Sequence, residues 1–208
     1  MNRRTIRNQN WGGLIMLLAI VLLISACGPS RNVSRRSSGE AIDLSGKWND
    51  TDSRLMAEEM TKDIVSRPWI DEFRRSKGKK PTVIPFGVKN RTTEHINTQT
   101  FVKDLERALI NSGRVRVVSS RDQRSEIRKE RADQQSGFTQ SPTAVGRELG
   151  ADFVLTGVLN SINDRSEGEE VIFYQGNMEL ISVETNEKVW IGDKKIKKLL
   201  SRKKSSLF

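Results

Sequence analysis

The 208-residue chain holds one cysteine, one histidine and one tyrosine. Each scarcity removes a class of chemistry. With only Cys27 present, no intrachain disulfide can form, so stability must come from a packed core. Zinc asks for three or four Cys, His or carboxylate ligands, and His95 beside Glu94 is expected as a surface or cap residue; no metal is expected. A Ser-His-Asp site would have to use His95, and no serine lies in a G-x-S-x-G elbow. No phosphate loop is present either: Gly46-Lys47 lacks the earlier glycine of that motif, where Ala41 stands. Glu58-Glu59 and Glu169-Glu170 are adjacent, but neighbours on a helix or strand face apart and cannot share a proton. No catalytic residue and no cofactor are expected. The chain should bind rather than catalyse.

Long apolar runs are scarce too, and the single one lies at the front. Arg3, Arg4 and Arg7 precede an uncharged stretch of sixteen residues, Trp11 to Ala26. A membrane-crossing helix needs about 20 apolar residues, so residues 1–26 are read as a signal peptide. Small residues, Ser25 and Ala26, stand directly before Cys27, as a peptidase that takes extended backbone requires. Ile24-Ser25-Ala26-Cys27 resembles the lipobox of bacterial lipoproteins. That resemblance implies diacylglycerol on the Cys27 sulfur and a fatty acyl group such as palmitate on its freed amine. Several chains together anchor a protein durably, since each buried methylene contributes about 0.8 kcal/mol. Gly28, rather than Asp, follows the cysteine, which in the familiar sorting pattern favours the outer membrane.

The charge excess is mild once the leader is removed. Basic residues number 36 and acidic ones 26; without the three leader arginines the mature excess is seven. Much of it lies in Lys194, Lys195, Lys197, Lys198, Arg202, Lys203 and Lys204. This run is read as a solvated strand end with a basic C-terminal tail over 199–208; anionic headgroups or acidic wall polymer are its functional alternatives. Nucleic acid is not expected as a partner of an exported protein. Residues 27–46 comprise the lipidated cysteine and a Ser-, Arg- and Gly-rich tether. Its nineteen residues after Cys27 span about 65 Å when extended and about 25 Å as a flexible coil.

Periodicity divides the remainder, residues 47–198, into alternating elements. A helix is expected from a cap at Asp50, Thr51 or Asp52 to near Ser66, with Leu55, Met56, Met60 and Ile64 on one stripe. Trp48, Trp69 and Phe73 are expected as core plugs. Thr82–Val88 is a strand whose Pro85 places it at an edge or at a bulge. A second helix, capped by Asn97 or Thr98, carries Phe101, Leu105, Ala108 and Leu109 and stops at Gly113. Residues 114–120 form a short strand, 121–137 a polar surface helix, and 141–150 a short helix opening at Pro142. Residues 152–162, 171–184 and 188–198 form an antiparallel meander, joined by a loose turn over 163–170 and a tight one at 185–187. The fold class is α/β: a mixed β-sheet of about five strands flanked by helices, ending in an antiparallel β-meander.

Four fragments in this order carry a further resemblance: "WNDTDSRLMAEEM", "FGVKNRTTEHINTQTFVKDLERALINSGRVRVVSS", "GADFVLTGVLNS" and "MELISVETNEKVWIG". Behind a lipobox they resemble the LpoB family of outer-membrane lipoproteins that activate penicillin-binding proteins. The resemblance implies a lipid-anchored periplasmic regulator of a bifunctional peptidoglycan synthase, a part of cell-wall synthesis and cell shape without chemistry of its own. Asn90, Arg91 and Thr92 match the family's stretch between first strand and second helix. They are candidate partner-binding residues, with loop fixation as their structural alternative. The better-known members carry a long Pro-rich tether, whereas this one has a single proline, Pro29. A second reading therefore keeps the domain and assigns it to an envelope-assembly or wall-binding scaffold, with peptidoglycan as the contact.

The lipobox makes a direct prediction. Cys27→Ser should leave a full-length, unacylated precursor that loses the wild type's partitioning into detergent, read by intact mass and phase separation. Unchanged mass and partitioning relative to wild type would rule out lipidation at Cys27.

Overall fold

The computed structural model describes residues 33–138, 140–142 and 147–201. The leader and Cys27 lie outside these residues, as do Arg202, Lys203 and Lys204. Two compact units divide the chain, residues 1–40 and 41–208. The described part of the first is a short turn in which Glu40 N–H donates to the Ser37 carbonyl at 3.1 Å.

The second unit opens with α1, Asp50–Ser66. Its N-cap is Asn49, one residue before the expected candidates. Asp52 N–H donates to Asn49 Oδ1 at 3.1 Å, and Asn49 N–H donates to Asp52 Oδ2 at 2.9 Å. This reciprocal box satisfies two donors at once, so Asp52 serves as its third helical residue rather than as the cap. Met56, Met60 and Ile64 are buried as expected, but Leu55 is exposed.

A nine-residue helix that the periodicity did not disclose follows Pro68: α2, Trp69–Lys77. It ends at Gly78 in the left-handed conformation, whose N–H donates to the Arg74 carbonyl at 2.9 Å. Trp69 is buried and donates its indole N–H to the Ile64 carbonyl at 2.8 Å, which occupies a free acceptor at the end of α1. Trp69 and Phe73 each meet Phe153 edge-on at 5.2 Å, an arrangement that aromatic quadrupoles favour.

Strand β1 is Thr82–Arg91 and β2 is only Arg116–Val117. Helix α3, Gln99–Asn111, lies between them and buries Phe101, Val102, Leu105 and Leu109. It carries no side-chain cap at Thr98; instead Asn97 Oδ1 accepts from Gln99 N–H at 3.0 Å. The polar α4, Arg121–Asp133, has no buried residue and continues as a π-turn over Gln134–Phe138. Of the short helix expected over 141–150, residues 141–142 and 147–150 are non-helical and 143–146 lie outside the described residues. Glu148 is bound to Arg128 at 2.7 Å and Arg131 at 3.1 Å, so this segment straps α4 on its way into the sheet.

The meander consists of β3 Phe153–Ser166, β4 Glu169–Ser182 and β5 Lys188–Ser201. Glu167 and Gly168 both have positive φ, 39° and 93°. The β3–β4 connection is therefore a tight two-residue turn of the hairpin kind, not the loose loop expected, and both strands run up to it. The mixed sheet has the order β2-β1-β3-β4-β5, with β1 parallel to β2 and β3 and the last three strands antiparallel. Pro85 sits at a register shift between Pro85 and Gly87, and β2 pairs only Thr82 and Val83. Of the two alternatives expected for the proline, the bulge is the one present: β1 shifts register there, and it lies between β2 and β3 rather than at the sheet's edge.

Helices α1, α2 and α3 supply one side of the core, and Val83, Leu155, Leu159, Met178, Leu180 and Trp190 of the sheet supply the other. Along β4 every even residue from Ile172 to Leu180 is buried while the odd ones are only partly so. The odd residues belong to the opposite sheet face, because strand side chains alternate.

Close approach to the sheet is built in at Gly157. A Cβ there would lie 2.7 Å from the Asn177 carbonyl oxygen, a backbone atom that cannot turn away. Gly157→Ala should lower stability by about 1–3 kcal/mol in urea unfolding. Gly150→Ala, with open space around it, should stay within about 0.5 kcal/mol of wild type.

Candidate partner-binding site

The end of β1 and the loop that follows bring the three candidate residues together. Asn90 Oδ1 accepts from Thr92 N–H at 3.0 Å and from the Thr92 hydroxyl at 2.8 Å. Asn90 Nδ2 donates to the Glu94 carbonyl at 2.8 Å. An asparagine that folds the backbone onto its own side chain gives a local turn, so Asn90 and Thr92 have their polar atoms committed to the loop. Thr98 closes its far end by donating its hydroxyl to the Val88 carbonyl at 2.7 Å.

Arg91 is different. It is exposed, and no hydrogen bond or ion pair holds its guanidinium among the described residues. In register it stands opposite Asn160, while Lys89 stands opposite Val158. Alternation places both on the sheet face opposite the one that packs against α1, α2 and α3. The arrangement is a rigid turn presenting one free cation, with a second two residues earlier.

Glu94 connects this loop to the interior. One carboxylate oxygen accepts from Trp48 N–H at 3.1 Å, and the other accepts from the Tyr174 hydroxyl. Tyr174 is buried, and its ring meets Trp48 edge-on at 5.3 Å. Trp48 in turn donates its indole N–H to Ser53 Oγ at 2.8 Å. Burial first, and then the adjacent Glu94 carboxylate, push the Tyr174 phenol well above its ordinary pKa, because both disfavour a phenolate.

A second polar group lies beside the first. Lys198 is half-buried, contrary to the expectation that the lysine run is solvated: its side chain is 12% exposed, and Nζ lies 2.6 Å from Asp52 Oδ2 and 2.8 Å from Asp43 Oδ1. It also donates to the Lys47 carbonyl at 3.0 Å. Burial pulls its pKa down, but the hydrogen bonds and charges of Asp43 and Asp52 outweigh this and raise it. Asp43 is held below the usual carboxylate range, chiefly by its bond to Lys198. His95 is exposed and has no hydrogen-bond or ionic partner among the described residues.

No local pattern announces Glu94–Tyr174 or Asp52–Lys198; only the sheet register brings them together. Arg91 was the part of the site open to detection, through its place in "VKNRTTEH".

A family model described as "Peptidoglycan-synthase activator LpoB" matches residues 52–196. Among solved structures, the LpoB C-terminal domain from Salmonella enterica is 24% identical over 62% of this chain and 93% of that one, with a TM-score of 0.35. The corresponding domain from Escherichia coli is 20% identical over 73% and 99%, with a TM-score of 0.38. Lipoprotein GNA1162 from Neisseria meningitidis is 12% identical over 60% and 88%, with a TM-score of 0.38. No curated protein sequence matches the chain.

The raised pKa of Tyr174 fixes the sign of a pH effect. A folded pKa above the unfolded one contributes stability that is complete below the unfolded value, about 10, and is lost as pH rises beyond it. Tyr174→Phe should cost about 1.5–3 kcal/mol near neutrality, because the Glu94 carboxylate loses a hydrogen bond. It should also flatten the alkaline decline in urea-derived stability. An alkaline limb as steep as wild type would show that Tyr174 does not produce it.

Proposed function

Because the chain belongs to the LpoB family of peptidoglycan-synthase activators, we propose that it binds a class A penicillin-binding protein and raises its activity. In this reading Cys27 carries the lipid, the outer membrane holds it, and the domain faces the periplasm. The family match, spanning residues 52–196 of the folded domain, carries the proposal.

The geometry supports a role in binding. An activator shifts its target only by binding the active conformation more tightly than the resting one. A preordered contact loses less entropy on docking than a mobile one. Asn90 and Thr92 hold the turn while Arg91 stays unpaired, so order and an available charge coincide. Arginine is frequent among residues that dominate interface energy, since its planar fork can meet a carboxylate with two hydrogen bonds.

The tether sets a geometric condition. Its nineteen residues reach about 65 Å at full extension. A synthase rooted in the inner membrane must therefore extend its accessory region towards the lipoprotein. The same shortness favours the second reading, a scaffold that contacts peptidoglycan near the outer membrane.

The test is capture of the unlipidated mature chain by class A synthases of the same cell, followed by a glycan polymerisation assay. Wild type should bind and stimulate. Arg91→Glu should weaken binding by about tenfold or more while leaving the unfolding midpoint unchanged. A wild-type chain that neither binds nor stimulates any of these synthases, but sediments with purified sacculi, would replace activation with the scaffold reading.

A further inference from the structure

Positive charge is concentrated at one corner of the domain. Helix α2 turns Asp71, Arg74 and Arg75 to one side, at the spacing of a single helical face, and Lys79, Lys80 and Arg116 of β2 complete a cleft of about 570 Å³ there. Arg74, Arg75 and Arg116 are exposed, and no hydrogen bond or ion pair holds their guanidinium groups among the described residues. Lys80 donates only to the Gly113 carbonyl, which leaves its charge unmatched. The acids beside them are occupied: Asp71 is bound to Arg114 at 2.8 Å, and Asp152 to Lys79 at 2.8 Å. Glu72, Glu184 and Glu187 line a separate cleft with Lys77 and Lys188, over the last strands of the sheet, whereas β2 is its opposite edge.

This corner is remote from the place where the tether joins. Thr82 pairs with Arg116 and Val83 with Phe153, so the corner lies level with the start of β3. The chain enters the domain at Asp43 and Lys47, which both hold Lys198. Lys198 stands opposite Ile172, and Ile172 opposite Asn163. From Phe153 to Asn163 the strand rises about 34 Å. The lining of the cleft is charged throughout, apart from Gly78. A protein interface buries an apolar centre, and a bilayer surface receives apolar side chains beside its cations. The cleft provides neither, and its chemistry suits a polar polyanion.

We propose that this corner binds peptidoglycan through the free carboxylates of its stem peptides, with Arg74, Arg75, Lys80 and Arg116 as the contacts. Guanidinium forks meet carboxylates with two parallel hydrogen bonds each. The proposal rests on the periplasmic placement that a lipid on Cys27 implies. In that placement the tether holds one end of the sheet towards the outer membrane, and the basic corner at the other end faces the wall. It gives the peptidoglycan contact of the scaffold reading a surface of its own, distinct from Arg91, so that wall binding and synthase binding can coexist on one domain.

The experiment sediments the unlipidated mature chain with purified sacculi, either untreated or with their carboxylates converted to amides by carbodiimide and ammonia. Binding should require the free carboxylates and weaken as salt is raised. Arg74→Glu and Arg116→Glu should each lower it at least about fivefold, because each sets like charges against one another, with urea unfolding confirming that both variants fold. Lys197→Glu, the same change of charge on an exposed β5 lysine without an ionic partner among the described residues, should stay near wild type. Failure of the wild type to sediment, equal sedimentation with amidated sacculi, or equal losses in Arg74→Glu and Lys197→Glu would overturn the proposal. So would Arg74-dependent binding to phosphatidylglycerol vesicles or to a synthase with none to sacculi, which would give the corner a bilayer or an acidic protein as its occupant. The sacculus assay contains neither an attached lipid nor a synthase, so its failure leaves the anchor to the Cys27→Ser result and activation to the polymerisation assay.

Discussion

The Lys198 ammonium lies between the carboxylates of Asp52 and Asp43 and donates to the Lys47 carbonyl. Three parts of the chain, the tether's end, the start of α1 and the last strand, converge on this one charge. Asp52 is 3% exposed, and a carboxylate so buried requires a close cation. Removing one partner of such a pair costs about 3–5 kcal/mol, since the other is left charged and unsolvated. Asp52 also completes the capping box with Asn49, so the ion pair and the helix start stand or fall together. One residue back, Trp48 donates to Glu94, and Glu94 with Tyr174 holds the loop that presents Arg91. The candidate site is therefore supported from the core by a relay of polar contacts.

Elements that declare themselves by period were legible in the sequence. The stripe of Phe101, Leu105 and Leu109 gave α3, and the β-rich last third gave the meander with its sheet class. Helix α2 was not legible, because only nine residues follow Pro68 and that is too short for a repeating stripe. The stretch "NDRSEGEE" predicts a loose turn between β3 and β4, yet a hairpin that projects into solvent can be polar and regular at once. Residues 141–150 show the reverse. Pro142 and Gly150 mark plausible helix ends, but at Glu148 ionic contacts to α4 accompany non-helical backbone.

The polar relay was hidden for a different reason. Tyr174 and Glu94 are eighty positions apart, and Lys198 is embedded in a lysine-rich run that composition alone assigns to solvent. Burial of a lysine depends on which neighbours the sheet register brings opposite it, and that information is not local. By contrast Asn90, Arg91 and Thr92 were singled out together, and the structure separates their roles. Two side chains hold the turn and the third is free. Loop fixation thus falls to Asn90 and Thr92, and the partner contact proposed above is left to Arg91.

The account's central claim is that the Lys198 charge couples the tether's end to the helix start and, through Trp48 and Glu94, to the loop bearing Arg91. Hydrogen exchange with mass spectrometry on Lys198→Met tests it most directly. The account predicts that amides in residues 43–52 and 92–96 lose protection together, while the paired centres of β3 and β4 keep theirs. Loss confined to residues 43–47, with the 92–96 loop as protected as in wild type, would contradict it.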